Sequence, residues 1–551
     1  MLPVLGAPLD RFAGDPRHPD GAGTVWTHWL VHEHGLGAMR SLRLVGWPQA
    51  FDILVVQGFP LDGLASWPFD ALLGWPAGFG LFQLATLWAA GLSASWLAAR
   101  WWRSAPAGLV AGVATQVAAP VLFELAQGRS TQVFALVFLP LALGLFADAL
   151  VSNRQRSAVL AGIAVAASAL SWWYMGFFCA IGLAVLAILA RVEGAPPSRP
   201  AVTAALTAAC IAGPPAGLTF AHLGQQGGTA ITLSDPIAWA GTATSLQVLL
   251  EERDAIALLP EGAVAFTPVL WALAVAGAAG RPARRWLAPL SWILVAVLLS
   301  LGPVLGWVGS HPLPGPFAAL SMVPVLRRLW WPARALLLAT VAVAVLAGGG
   351  AARLVEAARR RSRRLPGPAL GPVLVAMVVA VGLLVEAHLA LPTLPLPVTS
   401  ARPSAQAEAL RAGHGPVLVL PQERATHTDG RGFLLDQVFH GRPVVNTMMP
   451  PDLATAPAAV RTFFAAQPAL QALYACAEDD HPRPLSPSTV QAALARLAVA
   501  EVVADHARID APGHVEPGYF DCLVSLLGPP DARRGPYSVW AVSSIAERNR
   551  L

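Results

Sequence analysis

ARALLLATVAVAVLAGGGAARLVEAARRRSRR, residues 333–364, joins an apolar run to a cluster of arginines. Residues 333–353 are long and apolar enough to cross a bilayer as one helix. The arginines at its end, Arg353, Arg359, Arg360, Arg361, Arg363 and Arg364, belong on the cytoplasmic side by the rule that positive residues stay inside. The same pairing recurs on the N-terminal side of this stretch. Arg100 with Arg103, Arg154 with Arg156, Arg191 with Arg199, and Arg281 with Arg284 and Arg285 fall in alternate connections between apolar segments. Every one of these connections is assigned inward without contradiction, so the segments before residue 72 and after residue 391 face out.

The other spans are read at residues 72–99, 107–126, 132–150, 201–223, 263–279, 286–307 and 369–391. Residues 158–190 are too long for one perpendicular helix and carry the interruption SWWYMG, so two short helices meeting at an outward turn near residues 171–176 are expected. Composition agrees: 55% of residues are hydrophobic, 13% are charged and the mean hydropathy is +0.56. The expected fold is a polytopic α-helical membrane protein of about ten membrane helices, followed by an outward α/β domain. Three regions follow: an outward first loop with amphipathic helices at 1–71, a helical bundle at 72–391 and the α/β domain at 392–551. In the last region PVLVLP, AEVVADH and YSVWAV read as short buried strands, and residues 456–475 and 488–498 read as helices.

Residues 1–71 face out without a signal peptide or an apolar span to carry them across. Either the following helix translocates them, or an upstream membrane helix precedes residue 1, and the second is the favoured expectation.

The net charge of +5 does not argue for a nucleic-acid partner, because the basic residues sit on cytoplasmic loops beside anionic headgroups. No lysine occurs anywhere, which excludes a Gly-Lys-Ser/Thr phosphate loop and any Schiff-base mechanism. The energy for a reaction therefore arrives with the substrate. Cys476 and Cys522 lie in the outward domain, where either a disulfide or two buried thiols fit the sequence.

GDPRHPDG holds Asp15 and Asp20 near the outer face, where a general base meets a lipid-linked substrate; the bland alternative is a solvated turn. His28 and His32 are four apart on an expected helix and are candidates for binding substrate. No third ligand at defined spacing accompanies them, so no metal is assigned. Arg129, Arg327, Arg328 and Arg334 break the positive-inside pattern near the outer boundary, and Trp330 and Trp331 lie beside them. A forked guanidinium suits a phosphate, and an indole suits an apolar tail or a sugar face. The competing explanation is interfacial snorkelling with aromatic anchoring.

GDPRHPDG with the following VWTHW, FPLDGLASWPFDALLG, AQGRSTQVFALVFLPLAL, SWWYMGFF, VLRRLWWPARALLLATVAVAVLAGGG and, near the C-terminus, VLVLP, FHGRPVVN and LAVAEVVADH resemble bacterial members of the GT-C superfamily of integral membrane glycosyltransferases. The resemblance implies transfer of a sugar from a polyprenyl-phosphate donor to a glycan, lipid or protein acceptor at the outer face of the cytoplasmic membrane. It implies inversion with Asp15 as base and Asp20 in reserve, with no cofactor required. Rival functions are a lipid-linked glycan polymerase or ligase, a flippase-type transporter and a noncatalytic envelope assembly protein. Spans almost free of charge count against transport.

Overall fold

The computed structural model describes residues 10–15, 19–39, 42–49, 59–194, 198–226, 266–279, 282–308, 311–323, 326, 329, 331–362, 371–391, 394–411, 413–422, 432–447, 458–476, 485–510, 515 and 518–542. They form two compact units, one within residues 1–14, 58–218 and 230–398, the other within 15–57, 219–229 and 399–551.

The first unit is the helical bundle of a multi-pass membrane protein. Among the described residues, seven helical segments are long and apolar enough to span: Ala77–Trp102, Ala105–Ala126, Ser130–Ser152, Trp173–Val192, Arg199–Leu218, Pro332–Arg361 and Val373–Ala390, the second made of two helices, Ala105–Gln116 and Ala119–Ala126. Gln155–Ser171, Pro268–Ala278 and Arg285–Ser300 are shorter apolar helices. Large apolar side chains stay exposed along the bundle, including Val373, Leu374, Val378, Val381 and Leu384 on one helix. Such a surface is compatible with lipid rather than water.

Local chemistry sets the helix ends. Ser104 accepts from the Ala107 N–H with proline in the first turn, starting the return after the first arginine-bearing connection. Arg103 and Asn153 take left-handed conformations at helix C-termini. The expected turn inside SWWYMG is a single extended residue, Trp172, between helices Gln155–Ser171 and Trp173–Val192.

The helix Leu336–Ser362 is the axis of the bundle. Its glycines let neighbouring backbones approach. A Cβ on Gly348 would lie 2.5 Å from the Ala107 carbonyl oxygen, and one on Gly350 would overlap the Leu273 carbonyl. Trp102 donates its indole N–H to the Val345 carbonyl at 2.6 Å.

The second unit is built on a four-stranded sheet in the order Val417–Leu420, Glu501–Asp505, Tyr537–Ala541, Ala532–Arg534. The first pair is parallel, in register Val417 with Glu501, and the other two pairs are antiparallel. Alternation places Val417, Val419, Val503 and Val539 in one apolar layer and Leu418, Leu420, Val502 and Trp540 in another. Helices Pro468–Ala475, Pro487–Arg496 and Tyr519–Leu527 cover the second layer.

The first layer is covered by the helix Pro19–Ala38 together with Gly432–His440. Trp26, Trp29 and Leu30, three and four apart, form an aromatic stripe that needs an apolar partner and finds it on this sheet. The Trp26 indole donates to Gln437 Oε1 at 2.7 Å, and Gln437 Nε2 donates to the Leu44 and Arg442 carbonyls. Much of the N-terminal loop is thus part of the α/β unit. Cys476 and Cys522 are joined as a disulfide, with Cα atoms 5.7 Å apart.

Asp436 in this unit is raised from 3.8 to about 6. Burial is the main cause, with repulsion from Asp505 adding to it. The Ser404 hydroxyl, donating at 2.5 Å, and Arg508 oppose the rise. A carboxyl raised in the folded state adds stability while protonated; the gain is complete below about pH 4 and is lost as pH rises through 6. His440 works in the opposite sense. Burial, then Arg442, lowers it to about 4, so its contribution is present above its unfolded value and is lost as pH falls. Asp436→Asn is expected to stabilise the protein by about 2 kcal/mol at pH 7.5 and by nothing at pH 4. Thermal unfolding of the full chain at the two pH values checks this, and equal shifts at both would contradict the assignment.

Candidate functional site

The short helix Ala119–Ala126 ends in the sequence ELAQGRS. Gly128 takes φ of 72°, its N–H bonds the Leu125 carbonyl, and the Arg129 N–H bonds the Glu124 carbonyl at 2.8 Å. This is the Schellman closure, which needs a left-handed residue at the position of Gly128. It folds Arg129 back over Glu124, and Arg129 Nη1 meets Glu124 Oε2 at 3.4 Å. The helix Ser130–Ser152 starts immediately afterwards.

Arg334 arrives from the other side. It sits in the 3-10 turn Pro332–Ala335 that leads into the axial helix, and its Nε donates to the other oxygen of Glu124 at 3.2 Å. One carboxylate therefore bridges two guanidiniums from distant segments. The three side chains are only 2–6% exposed. The Trp331 ring lies 5.0 Å from the Arg129 guanidinium carbon and 4.8 Å from that of Arg334, while Trp172 lies 5.1 Å from Arg334. Indole faces attract desolvated cations by about 2 kcal/mol each. The result is a buried pair of forked donors flanked by indole rings, and a forked guanidinium suits phosphate oxygens.

Two further features adjoin this cage in the same unit. Asp62, buried on the helix Leu61–Leu73, accepts a hydrogen bond from Thr131, two residues past Arg129. The strand Arg11–Ala13 is pinned by Gln83, whose side-chain amide accepts from the Ala13 N–H and donates to the Ala13 carbonyl, both at 2.9 Å. Gly14 then approaches so closely that a Cβ on it would lie 2.7 Å from Gly128 Cα. The residue before Asp15 thus packs on the residue before Arg129.

The whole chain resembles solved structures. It is similar to the crystal structure of ArnT from Cupriavidus metallidurans bound to undecaprenyl phosphate, at 14% identity and a TM-score of 0.56, covering 99% of this chain and 97% of that one. The apo form of the same protein gives 15% identity and a TM-score of 0.54 over the same shares. The chain has the GT-C fold. The arabinofuranosyltransferase AftD from Mycobacteria is also similar, at 17% identity and a TM-score of 0.48 over 90% of this chain. This chain spans 36% of the length of AftD. No protein-family model matches the sequence, and no curated protein sequence matches it.

On this GT-C frame the residues singled out from sequence fall into three groups. Arg129, Arg334 and Trp331 come together in the cage around Glu124. Asp20, His28 and His32 lie on the helix Pro19–Ala38 of the α/β unit, with His28 fully buried in it and His32 half-buried. Among the described residues no three His, Cys, Asp or Glu side chains group as metal ligands. Asp15 is half-buried directly after Gly14. Arg327, Arg328 and Trp330 lie outside the described residues. Glu124, Gln83 and Trp172 were not singled out as site residues by the sequence, although Trp172 falls within the expected turn.

Proposed function

We propose that this protein is a membrane glycosyltransferase that moves a sugar from a polyprenyl-phosphate donor to an acceptor hydroxyl at the extracytoplasmic face. The observation that carries the reading is the buried cage of Arg129, Arg334, Trp331 and Trp172 around Glu124. The arginine distribution supports an outward setting, since by the positive-inside rule the loops holding the cage lie opposite the cytoplasmic clusters. Likeness in fold to a protein crystallised with undecaprenyl phosphate supports the same class of lipid carrier. The acceptor belongs to the glycan, lipid or protein class.

In the reaction, Asp15 takes the proton of the acceptor hydroxyl and the oxygen attacks the anomeric carbon from the face opposite the phosphate. The bond from that carbon to the phosphate oxygen breaks, and its electron pair stays on the oxygen. Arg129 and Arg334 stabilise the charge that develops there. The configuration inverts, and the sugar-phosphate bond supplies the driving force without a nucleotide or a cofactor.

Membranes containing the protein are expected to transfer radiolabelled sugar from at least one polyprenyl-phosphate donor, and Arg334→Gln to lower that transfer by about 100-fold. Absence of transfer from every donor tried would favour a noncatalytic assembly role. Gln83→Leu strands the Ala13 N–H and carbonyl and loosens the chain leading into Asp15. It is expected to reduce turnover by about 10-fold to 100-fold with donor affinity unchanged. A fall in donor affinity alone would show that Gln83 serves the donor instead.

A further inference from the structure

The phosphate-binding cage already contains an anion. Glu124 gives one oxygen to Arg129 at 3.4 Å and the other to Arg334 at 3.2 Å. Both separations are long for contacts between ionised groups, which usually close to about 2.7–2.9 Å. A carboxylate buried to this degree and dedicated to holding two arginines would be expected to approach them more closely. The Schellman turn at Gly128 ties the Glu124 carbonyl to the Arg129 N–H independently of the side chains. The Trp331 ring lies against both guanidinium carbons and the Trp172 ring against that of Arg334. The arginines are therefore oriented by backbone and aromatic contacts as well as by the carboxylate.

We propose, on the basis of the donor-phosphate reading above, that Glu124 is a displaceable counter-ion that competes with the lipid-linked phosphate for Arg129 and Arg334. Between turnovers it neutralises two like charges that would otherwise repel each other in a water-poor site. When the donor enters, its phosphate takes the guanidinium hydrogen bonds and the carboxylate yields them. The donor is a phosphodiester, whereas the spent carrier is a phosphomonoester that acquires a second negative charge. That product binds two arginines more strongly than the donor does, and a returning carboxylate is the group that helps expel it. Glu124 is in this view a positioning residue that sets the balance between capturing the donor and releasing the carrier.

The test is binding of radiolabelled undecaprenyl phosphate to the purified full-length protein in detergent, for wild type, Glu124→Gln and Glu124→Asp. With the competing charge gone, Glu124→Gln is expected to bind about tenfold more tightly, the difference between a charged and a neutral hydrogen-bond partner. Glu124→Asp, whose shorter side chain reaches the guanidiniums less well, falls between the two and decides the matter if the glutamine variant does not fold. The rise in melting temperature on adding undecaprenyl phosphate is expected to be larger in both variants than in wild type. In the transfer assay Glu124→Gln lowers kcat and KM together. Unchanged or weaker binding in the variants, with wild type binding normally, overturns the counter-ion role and leaves Glu124 as a fixed support. Failure of wild type itself to bind undecaprenyl phosphate overturns the phosphate reading of the cage, and the counter-ion role with it. Inorganic phosphate run in parallel identifies the source: an effect equal to that of the lipid overturns the lipid assignment.

Discussion

Asp15→Asn is expected to lower sugar transfer by about 10²-fold to 10⁴-fold while leaving undecaprenyl phosphate binding within about twofold of wild type. The substitution preserves shape and removes the lone basic function, so it separates a base from a structural polar group. Several neighbours fix the backbone that leads into this residue. Gln83 holds both polar groups of Ala13, the Gly14 N–H donates to the Pro397 carbonyl at 2.9 Å, and Gly14 packs on Gly128. Backbone held this firmly suits a group that must meet a reacting hydroxyl within a few tenths of an ångström. Single-turnover transfer with saturating donor, beside equilibrium binding of the carrier, is the measurement. Full activity in the variant would remove Asp15 as base. Asp20 is the next candidate by sequence, and Asp62, buried against Thr131 two residues from Arg129, is the next by structure.

What the sequence made legible follows from the range of the interactions involved. Hydropathy is a local property, so most of the apolar helices and the break at Trp172 could be read directly. The strands Val417–Leu420, Glu501–Asp505 and Tyr537–Ala541 were legible for the same reason, as short apolar runs. The span expected over residues 286–307 is shorter: its helix ends at Ser300, and Val304–Val308 form a strand paired with His311–Pro314, which hydropathy alone does not distinguish from a continuing apolar helix. The helix expected over residues 456–475 is two helices, Ala458–Ala465 and Pro468–Ala475, because proline cannot continue the hydrogen-bond ladder of the first. Glu124 looked unremarkable because one of its partners is 210 residues away, and nothing local marks a carboxylate as shared. Gln83 was hidden likewise, its partner lying 70 residues upstream. The union of Pro19–Ala38 with the C-terminal sheet depends on which apolar face meets which. The Trp26, Trp29 and Leu30 stripe shows only that some partner is needed.

Gly350→Val is expected to cost more than about 4 kcal/mol and to leave little folded protein, because it strikes backbone rather than side chain. The helices Pro268–Ala278 and Leu336–Ser362 meet through a reciprocal contact. A Cβ on Gly350 would overlap the Leu273 carbonyl, and one on Gly277 would overlap the Leu346 carbonyl. Residues 273 and 277, like 346 and 350, are four apart, so each pair lies on one helical face and the two faces interlock. In a bilayer, where burying apolar surface gives helices little reason to associate, this close approach of small residues and the packing it permits hold them together. A valine must push a carbonyl oxygen away, and the carbonyl cannot rotate aside without breaking its own helix. The consequence reaches the cage, since Arg334 sits in the turn that leads into the axial helix and meets Glu124 only if that helix is seated. Gly350→Ala should show the same effect at smaller size. Folded yield and melting temperature in detergent are the readouts; a valine variant melting within about 2 °C of wild type would mean that the two helices do not touch here.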